Sequence, residues 1–177
     1  MSLDLVPALY RIDLLAEPVV AALQTWSRAP DVQVAPIDPS LADTAAFCEA
    51  YGVALEASAN CVVIAARRGS EVRYAACMVL ATTRADVNGV VRKHLDARKA
   101  SFAPMDDAVA LTGMEYGGIT PIGLPADWPV LVDPAVVAAE SVIIGSGIRG
   151  SKLALPGAAL ADLPAAVVLA GLSSPTR

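Results

Sequence analysis

A chain of 177 residues suits one domain with a substantial core. Its hydrophobic fraction of 55% reads like that of a membrane protein, yet 35 alanines supply much of it, and no apolar run nears the ~18 residues that a span requires. The net charge of −5 argues against a general nucleic-acid binder, although residues 67–99 carry eight basic groups against Glu71, Asp86 and Asp96, whereas residues 1–66 carry Arg11 and Arg28 against eight acids.

The first residues lack the basic start and apolar stretch of a signal peptide, which points to a soluble cytoplasmic protein. Residues 17–26 place apolar groups at helical intervals, with Pro18 tolerable in the first turn. Residues 32–37 alternate weakly and predict a short strand whose Pro36 lies at an edge or a strand end. Ser40 and Asp43 have the spacing of a capping box, predicting a helix to about Tyr51 that stops at Gly52. The apolar runs 61–66 and 72–80, joined by Arg67-Arg68-Gly69-Ser70-Glu71, predict an antiparallel hairpin. Asp86 caps a predicted helix whose Val87, Val90, Val91 and Leu95 share one face.

Residues 104–113 read as a helix with carboxylates in its first turn and Gly113 as its stop. Next comes Gly117-Gly118-Ile119-Thr120-Pro121-Ile122-Gly123, a loop in which glycines permit positive φ and close approach of a ligand to bare amides, with Pro121 fixing its own φ. Strands follow at 129–134, 141–144 and 152–155, the last two hinged at Gly145-Ser146-Gly147-Ile148-Arg149-Gly150, then a short helix at 158–163 and an apolar segment at 165–172 that covers the core. Residues 1–7 and 173–177 read as soft ends. Strands exceed what regular βαβ alternation gives. The prediction is therefore a single α+β domain over residues 1–177, with a curved, mixed, mostly antiparallel sheet surrounded by helices.

Several motifs are decoys. Gly145-Ser146-Gly147-Ile148-Arg149-Gly150 spells G-x-G-x-x-G, but only 27 residues follow and a strand stands where a dinucleotide site needs a helix. Gly150-Ser151-Lys152 reverses the Lys-Ser order of a P-loop. Cys48, Cys61 and Cys77 match no metal or redox spacing and read as buried thiols in a reducing compartment. His94, the sole histidine, reads as solvated beside Lys93. No metal or cofactor is expected.

The order of helix, Thr112-Gly113, GG-I-T-P-I-G, short strand ending at Val132-Asp133, and Ile143-Ile144-Gly145-Ser146-Gly147 resembles the YbaK-type aminoacyl-tRNA deacylases, relatives of the editing domain inserted in bacterial prolyl-tRNA synthetases. The resemblance spans about residues 41–163. It implies a free-standing enzyme that hydrolyses the ester of a mischarged tRNA carrying a small amino acid, bound through the 3′ CCA end, with a synthetase as a further partner. Such domains work without a dedicated general base: loop amides hold the aminoacyl carbonyl and position a water, helped by the terminal ribose hydroxyl. By position, the resemblance assigns Gly117, Gly118, Thr120 and Asn60 to the reaction, and Pro121, Gly123, Gly145, Ser146, Gly147 and Arg149 to substrate binding. One position departs. Many members place a lysine at the start of the first central strand, where this chain has Asn60, a donor without charge. The alternative is a non-catalytic module that binds an aminoacyl-adenosine or tRNA 3′ end within a synthetase complex. A small-molecule ester or amide hydrolase is a third reading.

Overall fold

In the computed structural model, which describes residues 1–176, the chain opens with β1 (Val6–Pro7) and α1 (Glu17–Leu23). Pro18 occupies the first turn of α1, where its missing N–H leaves no bond unmade, and Val19 and Leu23 enter the core. β2 (Gln33–Pro36) ends at its proline. The capping box expected at Ser40 does not form. Asp38 instead accepts from the Ser40 amide and hydroxyl and fixes a single turn at Pro39–Leu41, so α2 (Thr44–Tyr51) starts later than predicted. Gly52 ends α2 at φ +66°, a conformation with no steric cost for glycine.

β3 (Ala59–Arg68) and β4 (Glu71–Leu80) form the predicted hairpin, ten residues a side around Gly69-Ser70. β5 (Thr83–Ala85) leads to a π-helical turn, Val87–Val91, continued by α3 (Arg92–His94). Asp86 caps this turn through the Gly89 and Val90 amides; of the four residues predicted on the inner face, Val87, Val91 and Leu95 are buried and Val90 is half-buried. β6 (Lys99–Phe102) then pairs antiparallel with β3. α4 (Met105–Thr112) stops at Gly113, φ +68°. β7 (Val130–Val132), α5 (Pro134–Ala138), β8 (Val142–Gly145) and β9 (Ser151–Leu155) follow, and a 3-10 stretch Gly157–Asp162 replaces the predicted short helix.

The last apolar segment holds β10 (Ala166–Val168), whose Val167 and Val168 are exposed, and only its end, Leu172, is buried in the core. The ends predicted as soft are paired. β1 lies antiparallel on β2, and β11 (Ser173–Pro175) lies antiparallel on β5, while Arg177 is outside the described residues.

One sheet runs β10-β7-β4-β3-β6 and a second runs β1-β2-β9-β8; β11 and β5 make a ribbon. Among the strands of the described residues, only the β10–β7 and β7–β4 pairs are parallel, so the arrangement is mixed and mostly antiparallel, as expected. The two large sheets meet at a parallel bridge between Ser58 and Ile143, which brings the start of β3 beside β8. The main core lies here, with Met78, Val130, Val132, Ile144, Leu153 and Leu155 among its buried members. Among the described residues, no helix is long and apolar enough to cross a membrane.

Candidate active site

The loop of residues 117–123 is more buried than its composition suggests: Gly118, Thr120, Pro121 and Ile122 are all shielded from solvent. Gly117 and Gly123 take φ of +85° and +89°, which favours glycine at both. Gly118 does not take positive φ. Glycine is required there because a Cβ would lie 2.6 Å from the backbone of Ile148. Its polar groups are occupied as well, since its amide donates to the Glu115 carbonyl at 2.9 Å and its carbonyl accepts from the Gly147 amide at 2.7 Å. The bare amides of the loop are therefore those of its neighbours. Gly117 and Ile119 donate to no acceptor among the described residues, and both line a cleft of about 340 Å³.

Asn60, Cys61, Thr44, Gly145 and Lys152 also line that cleft. Asn60 is held by α2: its Oδ1 accepts the Thr44 hydroxyl at 2.6 Å, and its amide nitrogen donates to nothing else among the described residues. Burial pushes the Cys61 thiol far above the ordinary range, so it is a proton-bearing part of the floor and not a nucleophile. Phe102 and Tyr116 stand at the mouth, 66% and 57% exposed.

The other residues chosen from sequence lie around the cleft or beyond it. Arg149 clamps the rim, donating from Nε to the Pro39 carbonyl at 3.2 Å and from Nη1 to the Tyr116 carbonyl at 3.3 Å, with Asp43 at 3.4 Å. Ser146 is buried in the β8–β9 hairpin, where its hydroxyl meets the Ile148 and Ser151 carbonyls and accepts from the Ser151 hydroxyl at 2.6 Å. Gly147, φ +92°, lets α1 approach, because a Cβ there would stand 2.3 Å from that of Ala16. Thr120 is fully buried and its Oγ1 has no hydrogen-bond partner among the described residues. Pro121 and Gly123 line a separate cavity of about 470 Å³ with Trp26 and Trp128. The structure thus brings Asn60, Gly117 and Gly145 together and leaves Pro121 and Gly123 out of that group.

Sequence reasoning passed over Lys152, which appeared there only as a failed P-loop residue. It is 9% exposed, its Nζ donates to the Ala42 carbonyl at 2.9 Å, and it stands 5.1 Å from the centre of the Phe47 ring. Burial lowers its amine pKa from the ordinary lysine value. The available signal was a single charge in a strand that is otherwise apolar after Ser151. Among the described residues, no three His, Cys, Asp or Glu side chains cluster as metal ligands would.

Residues 38–163 match the model of a family described as the aminoacyl-tRNA editing domain. The chain belongs to that family. The matched stretch begins just before α2 and ends after the Gly157–Asp162 turn, so it contains the whole cleft, while β1, α1 and β2 precede it. Among solved structures, hypothetical protein APE2540 superimposes on this editing domain with a TM-score of 0.76 at 19% identity, over 89% of this chain and 100% of that one. A candidate trans-editing enzyme for prolyl-tRNA synthetase gives 0.74 at 20% identity, over 88% and 94%. At such identities the likeness is one of fold. No curated protein matches the chain.

Proposed function

We propose that this editing domain is a free-standing deacylase that hydrolyses the ester of a mischarged tRNA bearing a small amino acid. The observation that carries the reading is the pair of unengaged amides at Gly117 and Ile119, in residues that line one cleft with Asn60 and Gly145 in a chain of the aminoacyl-tRNA editing family. Two fixed N–H groups suit the oxygen of an ester carbonyl as it gains negative charge, an effect worth on the order of 3 kcal/mol per donor. In this scheme a water oxygen bonds to the carbonyl carbon and the bond to the ribose oxygen breaks. The water's proton passes, with help from the neighbouring ribose hydroxyl, to the departing ribose oxygen.

Asn60 orients the water or the ribose through its unengaged NH2 group. Gly118 acts indirectly, by setting the loop against Ile148. Exposed Phe102 and Tyr116 suit stacking on the bases of the single-stranded 3′ end.

The test is a panel of tRNAs charged with Ala, Cys, Ser and Pro, incubated with the pure protein. At least one should lose its amino acid faster than in buffer. If none does, while the 3′ end still binds, the non-catalytic module is the correct reading. Turnover of a simple amino-acid ester as fast as of the charged tRNA would favour a small-molecule hydrolase.

A further inference from the structure

Lys152 has no part in the scheme above, yet it is the cation most deeply placed in the cleft. Its direct contacts are neutral: the ammonium makes one hydrogen bond, to the Ala42 carbonyl, and lies over the Phe47 ring, while the charges it feels beyond them, Arg149 and Asp43, are paired with each other. No carboxylate among the described residues comes within ion-pairing distance. An ammonium has three donors, so two remain for a ligand. A buried cation without a counter-ion is costly, and a protein that keeps one beside an open cleft is arranged to receive an anion there.

The sheet shows where that anion would sit. Lys152 pairs with Gly145 across the β8–β9 ladder. Two residues on from the Ser58–Ile143 bridge, Gly145 and Asn60 occupy matching positions on β8 and β3. Lys152, Gly145 and Asn60 therefore form one row on one face of the joined sheets, about 10 Å from end to end at two strand spacings. The middle member has no side chain and is covered by the Gly118 and Ile119 carbonyls, so Lys152 and Asn60 flank it as two walls of the same cleft. Gly145 is glycine because a Cβ would stand 2.5 Å from the Gly118 carbonyl. The same close approach sets the loop at Gly118 and Ile119 directly against Gly145.

We propose that Lys152 binds the 5′-phosphate of the terminal nucleotide of the tRNA. The phosphate assignment rests on the deacylase reading; the ammonium's need for an anion does not. The ester carbonyl is neutral in the ground state and already has the loop amides. Only the phosphate brings a full negative charge on binding. The aminoacyl ammonium, of like charge, is turned away from Lys152, which orients the acyl group towards the loop.

The experiment uses adenosine 5′-monophosphate and adenosine as probes of the intact protein, with binding followed by titration calorimetry or NMR, so that it needs no turnover. The wild type should bind the monophosphate about tenfold or more tightly than adenosine, the size expected of a charge-assisted bond. Lys152→Met should erase that difference while leaving adenosine binding and the melting temperature intact. Adding Asn60→Lys to Lys152→Met moves the cation across the Gly145 gap and should restore the preference. A wild type that binds both probes equally, or neither, overturns the phosphate assignment, as does a Lys152→Met protein that keeps the preference.

If Lys152→Met fails to fold, the wild-type Lys152 side-chain resonances decide: the monophosphate must raise the amine pKa, and no change refutes the contact. In single-turnover deacylation the substitution should raise the half-saturating concentration; a lower maximal rate with that concentration unchanged would place Lys152 on the reacting carbonyl and also overturn the proposal. A failed tRNA panel with the monophosphate preference intact sinks the deacylase and spares Lys152. Intact deacylation without that preference does the reverse.

Discussion

The most informative single substitution is Gly118→Ala, which adds one methyl group where two backbones touch. The new Cβ would lie 2.6 Å from both the carbonyl carbon and the oxygen of Ile148, and 2.9 Å from its nitrogen. That is about 1 Å short of ordinary carbon–carbon contact. The obstacle is main chain, so no rotamer change relieves it, and the loop and the β8–β9 hairpin must separate. Separation stretches the bond from the Gly147 amide to the Gly118 carbonyl, now 2.7 Å.

Overpacking costs about 1–3 kcal/mol and the hydrogen bond about 1 kcal/mol more. The sum, about 2–4 kcal/mol, corresponds to a fall of about 10 °C in melting temperature for a domain of this size. Deacylation should fall further than stability, because the displaced segment carries the amides on either side. Gly52→Ala is the control: it also sits at positive φ, 66°, but meets nothing within 4 Å, so it should cost about 1 kcal/mol and leave activity unchanged. A Gly118→Ala protein that melts with the wild type refutes the close-approach argument. One that melts early but deacylates normally separates Gly118 from the site.

Asn60→Ala should slow single-turnover deacylation about 5- to 30-fold, the value of one or two kcal/mol from a lost hydrogen bond, with little change in melting; an unchanged rate would leave Asn60 only its bond to Thr44. Arg67, Lys93, Arg98 and Lys99 are exposed and lack a carboxylate partner among the described residues, whereas Arg68 pairs with Asp96. If all four meet phosphates, tRNA affinity should fall with salt at a log–log slope of about −3. A flat response would make them an ordinary solvated face. Burial raises the Cys77 thiol to about 12 from 9.0 and raises Cys61 in the same direction, so the native state keeps protons that the unfolded chain releases above pH 9. Stability is therefore full below that pH and falls above it by about 1.4 kcal/mol per pH unit for each thiol. Cys77→Ala should remove one such increment from the slope measured by urea unfolding. The comparison of slopes cancels Lys152, whose lowered amine pKa acts with the opposite sign, and equal slopes would refute burial as the cause.

The parts of the fold that could be read from sequence are those whose cause is local. Val72 to Leu80 and Cys61 to Ala66 are apolar runs around a glycine turn, Gly113 ends a helix, and Asp86 caps one. The parts that could not are pairings between distant segments. β6 buries only Ala100 fully and starts with an exposed lysine, so it has no apolar pattern, and it exists because the edge of β3 is free to receive it. β1 and β11 are too short to carry any period. The loop of residues 117–123 stood out in sequence, but which amides it leaves unengaged depends on the Glu115 carbonyl, which takes the Gly118 amide and leaves Gly117 and Ile119 as the donors.

Lys152 shows the same division. β9 is buried along its whole length because β2 and β8 flank it while the main core and α2 cover its faces, and a charge in such a strand was a visible anomaly. What made it part of the cleft was invisible: one bridge, Ser58 to Ile143, joins two sheets and sets Asn60 and Lys152 in a row across a glycine. A neutral residue at position 60 is therefore weak evidence against a cation in the cleft, because a neighbouring strand separated from it by a glycine can supply the charge. The Lys152→Met and Asn60→Lys pair tests that equivalence directly.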